Sequence, residues 1–424
     1  MPNAPVYMLY AWTLVNIGRP QDFLPFLRPL HPGDVVAVIA LLVFLMFGEK
    51  DKPVFSFPEF RIFLVLFAVS IACTPFGYYP SHSLEFIKIF YLKVGLYLYL
   101  VAKLITTEER IDGMIKTIVL SGFSMALASI LMKQTGDRTF GAGGYTYDPN
   151  DLAMLMVTTL PIAIMQGLAA KKFLSRAFYL AGSAVCVIVF TYTMSRGGFL
   201  GLIGVVLFML FTKIPQINKK LIIGFLIILS IVFIYKLDPV YSDRLRTIRA
   251  DVSDIKAGSG RILVWKRGLV IFKDHPILGV GPGVFMDCYG SYIMENKFKG
   301  ELSVAKAGKQ WKTAHNTYLL VLTELGIFGF IAFLWLIVRV FKNLALLKRA
   351  EEGVPVKRGL QATGLQISLV GYLGCAFFLT AQTETLLYLS LILSGAMVRR
   401  MLQDQKNIAL KAADSGELIG LTGR

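Results

Sequence analysis

Long apolar runs alternate with short polar breaks along nearly the whole chain. About twelve runs approach the length a helix needs to cross hydrocarbon, roughly 20 residues. They fall near 5–18, 33–48, 58–74, 86–104, 113–132, 151–170, 177–194, 198–213, 220–236, 315–340, 359–380 and 385–401. In hydrocarbon every backbone N–H and C=O has to be paired internally, so such runs read as helices. One break is far longer than the others: residues 237–314 separate the ninth run from the tenth. The pattern predicts an all-α integral membrane protein with about 12 transmembrane helices. It divides into helices 1–9 (1–236), a long loop (237–314), helices 10–12 (315–402) and a tail (403–424).

Composition supports this. Of the 424 residues 55% are hydrophobic and only 17% are charged, against about 25% in soluble proteins, and mean hydropathy is +0.62. The N-terminus lacks the basic, apolar and small-residue pattern of a cleaved signal peptide, so insertion through the chain's own spans is expected. A net charge of +17 would suggest nucleic acid in a soluble protein, but its placement argues for membrane orientation instead, and no nucleic-acid partner is expected. One alternating set of breaks carries Lys50/Lys52, Arg110/Lys116, Lys171/Lys172/Arg176, Lys213/Lys219/Lys220 and Lys342/Lys348/Arg349/Lys357/Arg358. The opposite set has only Arg19, Arg28, Lys133, Arg138 and Arg196. The positive-inside rule puts the first set, and with it both termini, in the cytoplasm. Parity puts 237–314 outside.

The four cysteines (Cys73, Cys186, Cys288, Cys375) form no CxxC pair, and the four histidines (His31, His82, His275, His315) are scattered. Neither a disulfide framework nor a metal site is implied, and no cofactor is expected.

The long loop carries signals of order. Ile262, Leu263, Trp265, Leu269, Val270 and Phe272, interleaved with Arg261, Lys266, Arg267 and Lys273, predict a basic amphipathic helix at the membrane surface. Asp274-His275-Pro276 ends it. Gly279-Val280-Gly281-Pro282-Gly283 then offers a tight turn whose backbone can approach a ligand closely.

Several residues carry candidate chemistry. Arg196 lies between two apolar runs, where an ionised side chain marks function by default, though an arginine there can also snorkel to the interface. Arg261 and Arg267 offer forks of donors suited to phosphate, or generic attraction to anionic lipid head groups. His315 opens the tenth run, as a catalyst or as a cap. Asp148-Pro149-Asn150-Asp151 opens the sixth and reads first as an N-cap. Glu384 stands in the turn before the last run, suited to offset the arginines or act as an acid. Gly326 and Gly329 suggest close helix packing. Parity brings Arg196, Arg261, Arg267 and His315 to one outer face, where an anionic lipid head group would sit.

These residues resemble the O-antigen ligase family. Its first motif, arginine with leucine four places later, reads Arg196-Gly197-Gly198-Phe199-Leu200. Its second, histidine, ten residues, then glycine, reads His315 to Gly326. The His315-Asn316-Thr317-Tyr318 opening, Gly260-Arg261 followed by Trp265, the Gly279–Gly283 turn and the Asp148–Asp151 stretch also look like features of the wider ligase and polymerase superfamily. The resemblance covers about residues 30–400.

The resemblance implies a multi-pass protein of the bacterial inner membrane. It implies transfer of a glycan from undecaprenyl pyrophosphate to a sugar hydroxyl of lipid A–core, at the periplasmic face, by an inverting and metal-independent route. In that reading His315 is the general base. Arg196 and Arg261 act on the pyrophosphate, and Arg267, Asn150 and Glu384 help bind substrate. Membrane lipids surround the whole. An O-antigen polymerase or a protein O-oligosaccharyltransferase would use the same donor with another acceptor. A lipid-linked glycan transporter is a different class, and would show charges along a path through the bundle rather than at one face.

Overall fold

The computed structural model describes residues 3–48, 54–132, 139, 141, 147–214, 217–236, 260–299, 311–349 and 356–414. Among these residues the chain is all-helical, and each of the apolar runs lies on a helix. We number the helices α1 (Ala4–Gly18), α2 (Pro32–Phe47), α3 (Pro58–Cys73), α4 (80–104), α5 (Glu108–Leu131), α6 (Pro149–Ala169), α7 (Phe173–Thr193), α8 (Arg196–Phe211) and α9 (Lys219–Lys236). There follow α10 (Arg261–Asp274), α11 (Phe285–Met294), α12 (Thr317–Arg349), α13 (Val356–Ala376) and α14 (Thr385–Asp414). Among the described residues six helices are long and apolar enough to cross a membrane: α3, α5, α6, α7, α12 and α14. α2 and α8 are apolar but shorter. α14 runs on to Asp414, so much of the expected tail continues the last helix. The predicted amphipathic helix is α10, ending where Asp274-His275-Pro276 placed its stop. Lys50, Lys52, Lys133 and Arg138, together with 237–259 and 300–310 of the long break, lie outside the described residues.

α6 and α13 form the centre of the bundle. α6 is packed on α5, α7, α8 and α13, and 83% of its most apolar stretch is buried. α8 reaches α13 through small residues: a Cβ on Gly374 would lie 2.9 Å from the Cα of Gly201, so the two backbones touch as small-residue seams allow.

The charges at one end of the bundle are paired. Glu59, at the start of α3, accepts from Arg339, Asn343 and Arg399 at 2.9 Å each. Arg358, at the start of α13, reaches Glu108 at 2.5 Å and Asp404 at 2.8 Å. Asp112 holds Lys116 and Lys357 at 2.7 and 2.8 Å. Of the lysine- and arginine-rich set of breaks, Lys116, Lys357 and Arg358 meet their acidic partners here. A carboxylate buried this deeply stays ionised only when paired and hydrogen-bonded, and Glu59 is both.

The opposite end is organised by a break in α12. Gly326 leaves the helical region, with φ 63° and ψ −165°, a conformation essentially confined to glycine. The segment 276–285 fills the break. Ile327 N–H donates to Pro276 C=O, and Val280 and Gly281 N–H donate to Thr323 and Glu324 C=O, all at 2.9 Å. The Glu324 carboxylate accepts from Phe285 N–H at 3.2 Å. Gly326 was expected to ease helix packing. It instead opens the helix so that the glycine-rich turn can replace the missing ladder bonds.

Candidate active site

Four elements meet at the broken end of α12. The first is the residue run leading into that helix. His315 sits at φ 44°, in the left-handed region that non-glycine residues rarely occupy. Its neighbours are pinned on both sides. Trp265 of α10 donates its indole N–H to Ala314 C=O at 2.9 Å. Thr313 and Thr380 share a hydroxyl hydrogen bond of 2.7 Å. Thr317 donates to Leu379 C=O at 2.7 Å and accepts from Ala381 N–H at 2.9 Å. Asn316 accepts from Leu319 N–H at 3.0 Å and caps the helix. The histidine is therefore held between α10 and the α13–α14 turn.

The second element is α10, whose two arginines differ sharply. Arg261 opens the helix and is exposed. Arg267 is 2% exposed; it donates to the Tyr289 hydroxyl at 2.9 Å and lies over the rings of Tyr289 and Phe298, 5.6 and 4.9 Å from their centroids. Such a cage holds a guanidinium by cation–π attraction and ties α10 to α11.

The third is the α7–α8 turn. Arg196 is the first residue of α8 and is exposed, while Ser195 caps the helix through Gly198 N–H at 3.1 Å. The Ser195 hydroxyl also donates to the Asn150 side-chain carbonyl at 2.9 Å. Gly197 lies against Phe378, where a Cβ would come within 2.9 Å of that side chain. Phe378 in turn packs against Trp265, ring centroids 6.3 Å apart. Arg196 is thus joined to the histidine loop by a chain of contacts running Gly197, Phe378, Trp265, Ala314.

The fourth is the start of α6. Asp148 caps the helix through Asn150 and Asp151 N–H, at 2.6 and 2.9 Å, as the sequence indicated. Its charge also reaches His315. Burial, with Arg261 and Lys312 in electrostatic reach, pulls the imidazole below its usual value, and Asp148 pulls the other way. Asp148 and Lys312 are the site residues that sequence reasoning missed. Asp148 was read first as a cap, within a stretch resembling the superfamily, and was given no part beside His315; Lys312 lay unremarked in a polar run.

Glu384 stands apart from this cluster. With Asn16, Tyr147 and Tyr372 it lines a cavity of about 30 Å³. Burial raises its carboxyl to about 7, moderated by Arg19. It is in electrostatic reach of Asp151, while the groups that act on His315 are Arg261, Asp148 and Lys312.

Comparison with known proteins adds a family. The chain is 25% identical over 198 residues to an uncharacterized protein of Haemophilus influenzae, covering 44% of this chain and 48% of that protein. The match thus spans about half the relative's length. The model of the O-antigen ligase family matches residues 181–334. That segment holds Arg196, Arg261, Arg267, His315 and Gly326, and the match supports membership of this chain in the O-antigen ligase family.

Proposed function

We propose that this protein is a glycosyltransferase that moves a glycan from undecaprenyl pyrophosphate to a sugar hydroxyl of lipid A–core. It works in the inner membrane, with its twelve helices spanning and the broken end of α12 facing the periplasm. The charge alternation supports that orientation, and the family match supports ligase or polymerase-type chemistry. One observation carries the mechanism: a half-buried histidine in the electrostatic reach of Arg261 and Lys312, joined through packed aromatic rings to Arg196.

A sugar hydroxyl is a weak nucleophile until a base takes its proton as the new bond forms, and a positioned base contributes roughly 10²–10⁴-fold. Nearby cations and burial keep His315 neutral near pH 7, as that role requires. The departing pyrophosphate gathers negative charge, which Arg196 and Arg261 neutralise through their guanidinium forks. Attack from the face opposite the leaving group inverts the anomeric centre. Arg267 serves by fixing α10 against α11, which sets the place of Arg261 and Trp265. Asn150 serves by holding Ser195 beside Arg196. Glu384 supports the turn that carries Thr380 and Ala381.

The test is reconstitution in liposomes with undecaprenyl-pyrophosphate-linked glycan and, in parallel, lipid A–core, a second lipid-linked glycan, or a protein acceptor. Glycan on lipid A–core, with release of undecaprenyl pyrophosphate and with excess chelator present, is the expected result. Arg196→Ala and Arg196→Lys both lose at least about tenfold in rate, because a point charge does not replace a fork. Product only on the second glycan or on protein would move the chain to one of the sister activities. Full transfer by a folded Arg196→Ala protein would remove Arg196 from the chemistry.

A further inference from the structure

The run that leads into α12 crosses its broken end as a strap, and its residues are seated one by one. Ala314 accepts from the Trp265 indole, and Thr313 bonds to Thr380. Lys312 is in electrostatic reach of Arg267 and of His315. Trp311 lies on α11. A Cβ on Gly290 would come within 2.6, 2.7 and 2.8 Å of Cε3, Cζ3 and Cδ2 of the indole. Three consecutive ring atoms at nearly one distance mean that the ring lies face-on to the helix, and the missing side chain of Gly290 gives it room. Trp311 is nonetheless 45% exposed, so the face turned away from α11 is open.

The place of Trp311 on the strap gives that open face a meaning. It is four residues from His315, at most about 14 Å between Cα atoms even in fully extended chain. The two ends of the strap meet different partners. Beside His315, Ala314 is tied to Trp265, which packs on Phe378 and through it on the Arg196 turn. Arg261 is four residues from Trp265 on α10 and so shares its face. Trp311 meets α11 instead. The histidine therefore stands on the path of contacts between these two arginines and the indole. In an inverting transfer the acceptor arrives opposite the leaving group. With the pyrophosphate at the arginines, the indole's side is the acceptor's.

We propose that Trp311 is the platform on which a sugar ring of the acceptor stacks, bringing its reactive hydroxyl to His315. This rests on the function proposed above. A pyranose has a face of C–H groups and a rim of hydroxyls. The indole offers a broad apolar face, and Lys312 beside it carries ammonium donors for the rim. A ring already seated on glycine loses little freedom on binding, which is how a preorganised contact gains affinity. A tryptophan that only anchored the chain among lipid head groups would not distinguish acceptor from donor.

The experiment varies acceptor and donor in turn in the reconstituted transfer. Trp311→Ala is expected to raise KM for lipid A–core about three- to tenfold, the scale of one aromatic contact, with KM for the donor nearly kept. Trp311→Phe keeps an aromatic face and is expected to retain most of the acceptor affinity. Gly290→Ala leaves the indole in the chain but takes its seat. Only an exposed side chain has to move, so this variant is expected to fold and to raise the acceptor KM in the same way. An acceptor KM unchanged in folded Trp311→Ala overturns the assignment and leaves the indole as an interfacial anchor. A rise in donor KM alone also overturns it, and gives the platform to the donor glycan. If the wild type transfers nothing, the function proposed above fails on its own. Equilibrium binding of core oligosaccharide cut from lipid A then decides the platform: weaker binding by Trp311→Ala and Gly290→Ala supports it, while equal binding, or none by the wild type, overturns it.

Discussion

Gly279 and Gly326 meet backbone to backbone at the break in α12. A Cβ on Gly279 would stand 2.6 Å from the Gly326 nitrogen, and the two residues have φ of 67° and 63°. A Cβ on Gly326 would enter the carbonyl of Ile277. Neither position therefore tolerates a side chain, for reasons of conformation and of space together. Gly326→Ala is expected to cost about 1–3 kcal/mol from backbone strain alone, and more from the clash. Gly359→Ala is the control, since that helical glycine has nothing within 4 Å of its Cβ position; alanine there is expected to be neutral or slightly stabilising. Thermal melting in detergent reads both. Equal melting temperatures for the two variants would mean that the glycine-rich turn does not depend on the break.

Trp265 reaches the loop that carries His315 by a single hydrogen bond, to the residue before the histidine. Phenylalanine at 265 keeps a ring against Phe377 and Phe378 but deletes the N–H donor. A neutral hydrogen bond is worth about 0.5–1.5 kcal/mol, so stability should change little. Misplacing His315 should slow the chemical step about tenfold, with KM for the donor nearly kept. A Trp265→Phe enzyme with wild-type kcat would show that the loop holds the histidine without α10.

Much of the bundle was legible because hydrocarbon and a packed helical interior make the same demand of a sequence, long apolar runs, and each run became a helix. The breaks were legible in part through charge: Lys116, Lys357 and Arg358 of the lysine- and arginine-rich set lie in the paired end of the bundle. The α12 break was not. A glycine inside an apolar run looks the same whether it packs or opens the helix, and the partner that decides it, Pro276 to Gly281, lies in a separate stretch of chain. The amphipathic run put Arg261 and Arg267 on one helix. Which of them is buried depends on Tyr289 and Phe298, which no periodicity connects to it. The cap at Asp148 was plain from Asp-Pro-Asn-Asp, whereas its nearness to His315 arises only when α6 and α12 come together.

Glu384 predicts a pH dependence of stability. Its folded-state carboxyl is raised from 4.5 to about 7 by burial, so between those values the folded chain binds the proton more tightly than the unfolded one. The stabilisation this gives is full below about 4.5 and is lost as pH rises through about 7. Glu384→Gln removes that dependence. Relative to wild type, the glutamine variant should gain stability across that window, on the order of 1–3 kcal/mol by pH 8. Melting curves at pH 5 and pH 8 measure it. A difference between variant and wild type that stays constant from pH 5 to 8 would show that Glu384 does not titrate in this range.

The pH profile of transfer tests His315 through its neighbours. A general base works as the neutral imidazole, so kcat/KM should rise with pH through the His315 pKa and then level off. Burial and the Arg261 and Lys312 cations lower that pKa below 6.5, while Asp148 raises it. The rising limb should therefore lie on the acid side of 6.5. Arg261→Gln removes a cation, which lets imidazolium form more readily and moves the limb to higher pH, apart from any loss of donor binding. Asp148→Asn keeps a good N-cap for α6 but removes the anion, which moves the limb to lower pH. The two shifts have opposite signs, and a purely structural role for either residue would change the height of the profile without moving it. His315→Ala should abolish the limb and lower the plateau at least about a hundredfold. If the limb survives in a folded His315→Ala protein, the group that titrates is another, and His315 acts by binding rather than as the base.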